Sequence, residues 1–364
     1  MINIDGSYLE GGGQIIRTAI ALSALTGKPF KADKIRSGRP EPGLKNQHLY
    51  GIKAMQQLCN ASVENAELGS ANIIFIPREI KPQTLNIDIG TAGSITLILQ
   101  SLLLPCIFAK KETRIKITGG TDVAWSPQID YLREVILPQF RRYADIELNM
   151  ERRGYYPKGN GKVDIKIKPR FDFEEIGNPK LKFDLISQGK LLQIRGVSHA
   201  SKDLEKAEVA ERQARAAKLG LNKYDIPVKI DSEYCETLST GSGITLWAVF
   251  GLEDDKGSFE TDSSYPLIAG ADVLGERGKK AEIVGEECAK KLIHEIESNA
   301  PVDAHLADNL IPLLGIVGGK FKASAISDHT KTNIYVTEKF LDVKFEVGDN
   351  VIKVTKIIGR NNLF

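Results

Sequence analysis

Near the start of the chain stands Glu10-Gly-Gly-Gly-Gln14-Ile-Ile-Arg17, three glycines between a carboxylate and an amide, with a guanidinium one turn on. Glycines let a backbone approach a ligand closely, and a helix start offers free amides to an anion. Glu10, Gln14 and Arg17 are three or four apart, so part of one helix face would present all three groups. Glycine turns alone are common; the polar residues flanking an otherwise apolar segment favour a site. A second segment, Arg36-Ser-Gly-Arg39-Pro-Glu-Pro-Gly43-Leu-Lys45-Asn-Gln47-His48, crowds basic side chains into a Gly/Pro-rich loop entering a helix. Guanidinium forks suit phosphate oxygens, although surface loops are often basic without binding anything.

Two further turns have the same character. Gly90-Thr-Ala-Gly93-Ser94 precedes an apolar helix that carries Gln100, a buried amide needing a partner. Gly119-Gly120-Thr121-Asp122-Val-Ala-Trp125-Ser126-Pro127 joins a strand to a helix and would line a base pocket or pack as a corner. Standard nucleotide motifs are missing: Gly154 to Gly159 has the spacing of a phosphate-binding loop, but Asn160 takes the lysine's place. Lys158-Gly-Asn-Gly161 matches a nucleotidyl-transfer lysine box, a short pattern without companion boxes. Of five histidines, His294 reads as ordinary packing or surface and His199 as a turn residue without a catalytic role. His305 and Asp308 share one helical face. His329 stands in a polar stretch that reads as a loop before a strand at 334–336.

The elements that must position these groups alternate. Strands are expected at 1–4, 29–34, 71–75, 84–89 and 114–118, and helices at 14–25, 43–58, 94–103 and 127–140, the last with Pro127 at its first position. This βα-βα-ββ rhythm recurs, and a third passage begins near Lys279 and includes a helix at 303–314. Between 184 and 268 the character changes to a βαββ pattern with a charged helix over 201–219. The expectation is an α/β (α+β) protein: a large body of repeated βαβαββ units over 1–183 and 269–364, with a small α/β insert over 184–268.

The 364 residues suffice for two or more packed units, and 42% apolar with 26% charged residues argues against extended disorder. A formal charge of +2 means that nucleic-acid binding would rest on local clusters, not a bulk field. The apolar run 94–109 is broken by Gln100 and Pro105, so no membrane span is expected, and no signal peptide is evident. Cys59, Cys106, Cys235 and Cys288 are far apart, as free thiols in a reducing cytoplasm would be.

Taken in order, EGGGQIIRTA, RSGRPEPGLKNQHL, GTAGSITLILQSLLLP, GGTDVAWSP, RRGYYPKGNGKV, GERG, HLADNLIPLLG and DHTKTNI resemble the RNA 3'-terminal phosphate cyclase family over nearly the whole chain. That resemblance implies four-stranded sheets with packed helices. It also implies an ATP-dependent ligase-class enzyme that converts an RNA 3'-phosphate into a 2',3'-cyclic phosphodiester through a histidine–AMP intermediate, with release of pyrophosphate and AMP. His329 is similar to the family's nucleophile. Gln14, Gln100, Pro127, His305, Asp308 and Asn309 fall where the family meets ATP, although tyrosine and glutamine are usual at the positions of His305 and Asn309. Arg17, Arg36, Arg39 and His48 resemble groups that hold substrate phosphates, and Glu10 resembles the carboxylate linked to a divalent cation, Mg or Mn. The implied partners are ATP and RNA with a 3'-phosphate end, for a monomer or homodimer without a membrane. The alternative is a non-catalytic relative that binds RNA in ribosomal RNA maturation, and such a relative would be expected to have lost the nucleophile.

Overall fold

The structure, a computed structural model, describes residues 1–9, 11–173, 181–254, 256–262 and 266–356. Glu10 lies outside them. The first unit runs β1 (Ile2–Asp5), α1 (Gln14–Thr26), β2 (Phe30–Asp33), α2 (Asn46–Cys59), β3 (Ser62–Glu64) and β4 (Ile73–Ile76). β1 and β2 pair in parallel and β4 and β3 add antiparallel, in the order β1-β2-β4-β3. The second unit repeats this with β5 (Thr84–Asp88), α3 (Ile95–Ile107), β6 (Thr113–Gly119), α4 (Ile129–Tyr131), a π-helical turn over Leu132–Ile136, α5 (Leu137–Phe140), β7 (Ala144–Arg152) and β8 (Gly161–Pro169). Its order is β5-β6-β8-β7.

The third unit opens with β9 (Phe183–Leu185) and is then interrupted. A separate sheet forms from β10 (Lys190–Ser201), β11 (Val228–Cys235), β12 (Ser242–Glu253), β13 (Phe259–Glu260) and β14 (Leu267–Leu274), with α6 (Val209–Gly220) and α7 (Ala281–Glu297). The chain then returns through α8 (Ala304–Val317), β15 (Gly319–Lys322), α9 (Asp328–Phe340), β16 (Val343–Gly348) and β17 (Val351–Lys356). β9 pairs in parallel with β15, and the order β9-β15-β17-β16 repeats that of the other two units. The expected mixed α/β class with repeated βαβαββ units is therefore the observed one.

Four local readings need correction. His199, read as a turn residue, is buried within β10, opposite Gly243 of β12. The stretch 334–336 is not a strand but the middle of α9. Ile334, Tyr335 and Val336 favour a strand locally, but Thr330, Asn333, Val336, Thr337 and Phe340 are buried at helical spacing, and Ser327 caps the helix by accepting from the Thr330 N–H at 2.9 Å. The helix expected from Pro127 starts only at Ile129: Gln128 is extended, with ψ 156°, and precedes the helix as its N-cap, its N–H donating to Asp272 Oδ2 at 2.8 Å. The charged helix expected over 201–219 is a 3-10 turn, Lys202–Ala207, followed by α6, with Glu208 between them in left-handed conformation at φ 49°.

The core joins the units. α1 packs on α2, α3 and α9, and α8 packs on α9. In α3, Ile95–Ile107, every residue except Gln100 is buried. No helix among the described residues is long and apolar enough to cross a membrane.

Candidate active site

Most of the singled-out side chains sit at or just before helix N-termini of the three units, where unpaired N–H groups gather. Gln14 begins α1, with Arg17 one turn on, and His48 lies in the first turn of α2. Pro127 precedes α4, His305 lies in the first turn of α8 with Asp308 and Asn309 in the second, and His329 lies in the first turn of α9.

Asn333 fixes where α9 stands. It accepts from Thr18 Oγ1 of α1 at 2.7 Å and donates to the Asp308 carbonyl of α8 at 2.6 Å. Tyr335 holds the loop before α1, stacking on Tyr8 at 4.2 Å while its hydroxyl accepts from the Asp5 N–H at 3.0 Å. One turn before Asn333, the half-buried His329 ring faces the glycine loop: a Cβ built on Gly12 would stand 3.8 Å from His329 Cε1 and 3.7 Å from an Arg39 terminal nitrogen. The glycine loop, Arg39 and His329 thus border one space.

Beside that space lie Arg17, Arg36 and His48, and among the described residues Glu41 is the carboxylate that acts on Arg36, while also pairing with Lys45 at 2.8 Å. His48 is buried and its Nδ1 accepts the Lys45 N–H at 2.9 Å, so the ring is neutral with its proton on Nε2. Burial, then the charges of Arg17, Arg36 and Lys45, push its pKa down to about 3. Burial and the neighbouring Arg36 lower Arg17 to about 10, and burial with Arg39 lowers Arg36. His48 Nε2, Arg17 Nε and Arg36 Nε are buried without a hydrogen-bond partner. Three orphaned donors on neighbouring residues, two of them on guanidinium groups of like charge, are chemistry suited to a bound anion.

A second group meets around Asp308 of α8. Asp308 is buried, and its Oδ1 accepts from Ser327 Oγ and Thr330 Oγ1, each at 2.6 Å. Burial raises its pKa, while those two hydroxyls and the charges of His329 and His305 pull it back. Gln100 finds the partner it needs in Asn309, donating to Oδ1 at 2.8 Å, and Asn309 donates to the His305 carbonyl at 2.8 Å. The exposed His305 ring stands edge-on to Tyr131, centroids 6.5 Å apart. The Pro127 carbonyl accepts from Thr96 Oγ1 at 2.8 Å, one turn before Gln100 on α3. Gln14 is half-buried at the head of α1.

Sequence reasoning passed over a buried charge cluster where the separate sheet meets the second unit. Arg153 is 1% exposed and donates to Asp122 Oδ2 at 3.1 Å, to Asp130 Oδ2 at 2.6 Å and to Glu233. Burial would lower the Arg153 pKa, but these carboxylates hold it well above the ordinary range. His199 is buried beside them, bridging the Tyr155 hydroxyl at 2.7 Å and Gln128 Oε1 at 2.8 Å. Asp122, Asp130 and His199 have ligand atoms within 4.8 Å of one another, yet the guanidinium already stands between the two carboxylates and fills the place of a cation. Nothing in the spacing of these residues announced that they meet. Asn333 was missed as well: it lies four residues after His329 and shares its face only in the helix Asp328–Phe340, where the sequence reads as a loop and a strand.

A family model described as RNA 3'-terminal phosphate cyclase matches residues 8–347. The chain is 44% identical to an RNA 3'-terminal phosphate cyclase of Pyrococcus abyssi over 358 residues, 98% of each chain. It is 46% identical to one of Pyrococcus furiosus over 352 residues and 45% identical to one of Saccharolobus islandicus over 351 residues, 96% of each chain in both cases.

Proposed function

Because this chain belongs to the RNA 3'-terminal phosphate cyclase family, we propose that it consumes ATP to close an RNA 3'-phosphate into a 2',3'-cyclic phosphodiester through adenylylated His329. The observation that carries this reading is the position of the His329 ring beside Gly12 and Arg39, at the edge of the Arg17–Arg36–His48 cluster.

An unprotonated nitrogen of His329 attacks the α-phosphorus of ATP. A phosphorus–nitrogen bond forms and the bond to pyrophosphate breaks, splitting one hard displacement into easier ones. An oxygen of the RNA 3'-phosphate then takes the adenylate from the imidazole, giving a mixed anhydride. Finally the neighbouring ribose 2'-oxygen attacks the 3'-phosphorus, losing its proton as AMP departs; being intramolecular, this step depends chiefly on orientation. Arg17, Arg36, Arg39 and the Nε2–H of His48 hold phosphate oxygens and meet the growing charge. Gln14 and Gln100 face the triphosphate. Asp308 and Asn309 contact the adenosine, whose base lies between His305 and Pro127; imidazole stacks where the family usually has tyrosine. A divalent cation, Mg or Mn, held through Glu10 would neutralise triphosphate charge, and among the described residues the Asp122–Asp130–His199 group does not offer it a place.

The same proposal takes residues 1–183 with 269–364 as the catalytic body and 184–268 as an insert, whose sheet continues to Leu274. A cytoplasmic monomer or homodimer fits the free cysteines among the described residues. The test is to incubate the protein with ATP and an RNA ending in a 3'-phosphate, when the end should become resistant to phosphatase. A 2'-deoxy terminus should stall as the activated anhydride. An end that stays phosphatase-sensitive overturns the reading.

A further inference from the structure

A phosphate pocket fixes only the last group of an RNA, and the strand leading to it must lie on the protein. We propose that Trp125 and Tyr156, with Lys158, form a stacking platform for bases of single-stranded RNA upstream of the reacting 3' end. This rests on the reading that the substrate is RNA, and it assigns the surface that takes the rest of the strand.

Trp125 is 98% exposed, whereas the chain's other tryptophan, Trp247, is 7% exposed. Its backbone is left-handed at φ 67°, an unusual conformation for a bulky residue, and the turn is pinned on either side. Ser126 Oγ donates to the Val123 carbonyl at 2.9 Å, and Thr96 Oγ1 to the Pro127 carbonyl at 2.8 Å. The indole is thus held out from a fixed base. Tyr156 is 75% exposed in the neighbouring turn, which is equally fixed: the Lys158 N–H donates to Ser239 Oγ at 3.0 Å, and the Gly159 N–H to the Tyr155 carbonyl at 2.8 Å.

The two turns are joined. The Thr121 N–H donates to the Gly154 carbonyl at 2.9 Å, Thr121 Oγ1 accepts the Gly154 N–H at 2.9 Å, and Asp122 bridges to Tyr155. Lys158 is exposed at the tip. Exposed aromatic faces on fixed turns, with an exposed ammonium on the same turn as one of them, are what a single strand needs, because bases stack whatever their sequence and the cation follows the backbone.

The Lys158 turn also packs on the turn that opens α3. Gly159 lies so close to the Gly90–Gly93 turn that a Cβ there would stand 2.7 Å from Ala92 Cα. A Cβ on Gly90 would be 4.0 Å from the Tyr50 hydroxyl, and Tyr50 is two residues beyond His48 on α2.

The experiment compares a 3'-phosphorylated dinucleotide with a 3'-phosphorylated RNA of about ten nucleotides, without ATP for binding and with ATP for cyclisation. Trp125→Ala with Tyr156→Ala should weaken binding of the longer RNA by about ten- to a hundred-fold, leaving the dinucleotide's KM and the KM for ATP as in the wild type. Trp125→Phe with Tyr156→Phe should recover most of the loss. The longer RNA should also quench tryptophan emission in Trp247→Phe and not in Trp125→Phe. Unchanged affinity, an equal loss for both RNAs, or no quenching overturns the proposal. A loss confined to the KM for ATP overturns it too, assigning the rings to adenine. Failure of the wild type to cyclise even the dinucleotide would instead count against the catalytic reading, while the binding measurements would still judge the platform.

Discussion

The Nε2 of His48 faces Gly13 so closely that a Cβ built on Gly13 would stand 1.8 Å from it. Gly13 has an ordinary helical backbone, φ −64°, so glycine is required here by close approach and not by a left-handed turn. His48 is buried and cannot swing aside. Gly13→Ala should therefore cost about 1–3 kcal/mol of stability from overpacking and raise the KM for 3'-phosphorylated RNA, since the displaced imidazole leaves the Arg17–Arg36 cluster. Urea unfolding and steady-state cyclisation check this.

Asp308 can be tested for charge separately from structure. Both hydroxyls that bind it reach Oδ1, which an amide retains. Asp308→Asn should melt within about 3 °C of the wild type, yet form the adenylylated enzyme more slowly. Asp308→Ala leaves the two hydroxyls without their acceptor and should cost about 1–3 kcal/mol. Melting curves beside single-turnover adenylylation separate the two effects.

Much of this architecture was legible from local signals. The alternation of β-branched runs with amphipathic stretches marks β1, β2, β4, β5 and β6, though not β3, β7 or β8, and glycine turns mark the starts of α1 and α3. The third unit was harder to read, because its first strand, Phe183–Leu185, is separated from α8 by the whole second sheet. α9 was misread because its Ile-Tyr-Val run has local strand preference, and only packing against α1 and α8 decides the matter. Arg36 and His48 were visible as a basic loop. That the charges of Arg36 and Arg17 act on a buried, neutral His48 depends on how two helices and a loop meet, which no single window carries.

Arg153 holds Asp122 and Asp130 together between the second unit and the separate sheet. Arg153→Met keeps much of the volume and removes the charge, leaving buried Asp122 without its guanidinium and Asp130 with only Arg133, 2.8 Å from its Oδ1. A loss of about 3–5 kcal/mol is expected, read as a lower urea midpoint. A loss below about 1 kcal/mol would mean that the carboxylates find other partners.

His48 should make stability depend on pH in a defined window. Its folded pKa, about 3, lies below the ordinary 6.5, so the unfolded chain binds a proton first as the pH falls. The contribution is fully present above pH 6.5 and is lost progressively toward pH 3. Each pH unit in that window removes up to about 1.4 kcal/mol. His48→Asn can still accept from the Lys45 N–H and does not titrate, so its stability should fall less steeply than the wild type's between pH 6 and about 4. Parallel slopes for the two proteins would contradict the buried, neutral ring.

The most direct test of the covalent step is incubation with ATP labelled at the α-phosphate and a divalent metal, followed by isolation of the protein. The account predicts label bound through a bond that acid breaks and alkali spares, as a histidine phosphoramidate behaves, present in the wild type and absent in His329→Ala. An adduct that survives the loss of His329, or a wild type that never takes up label, would contradict it.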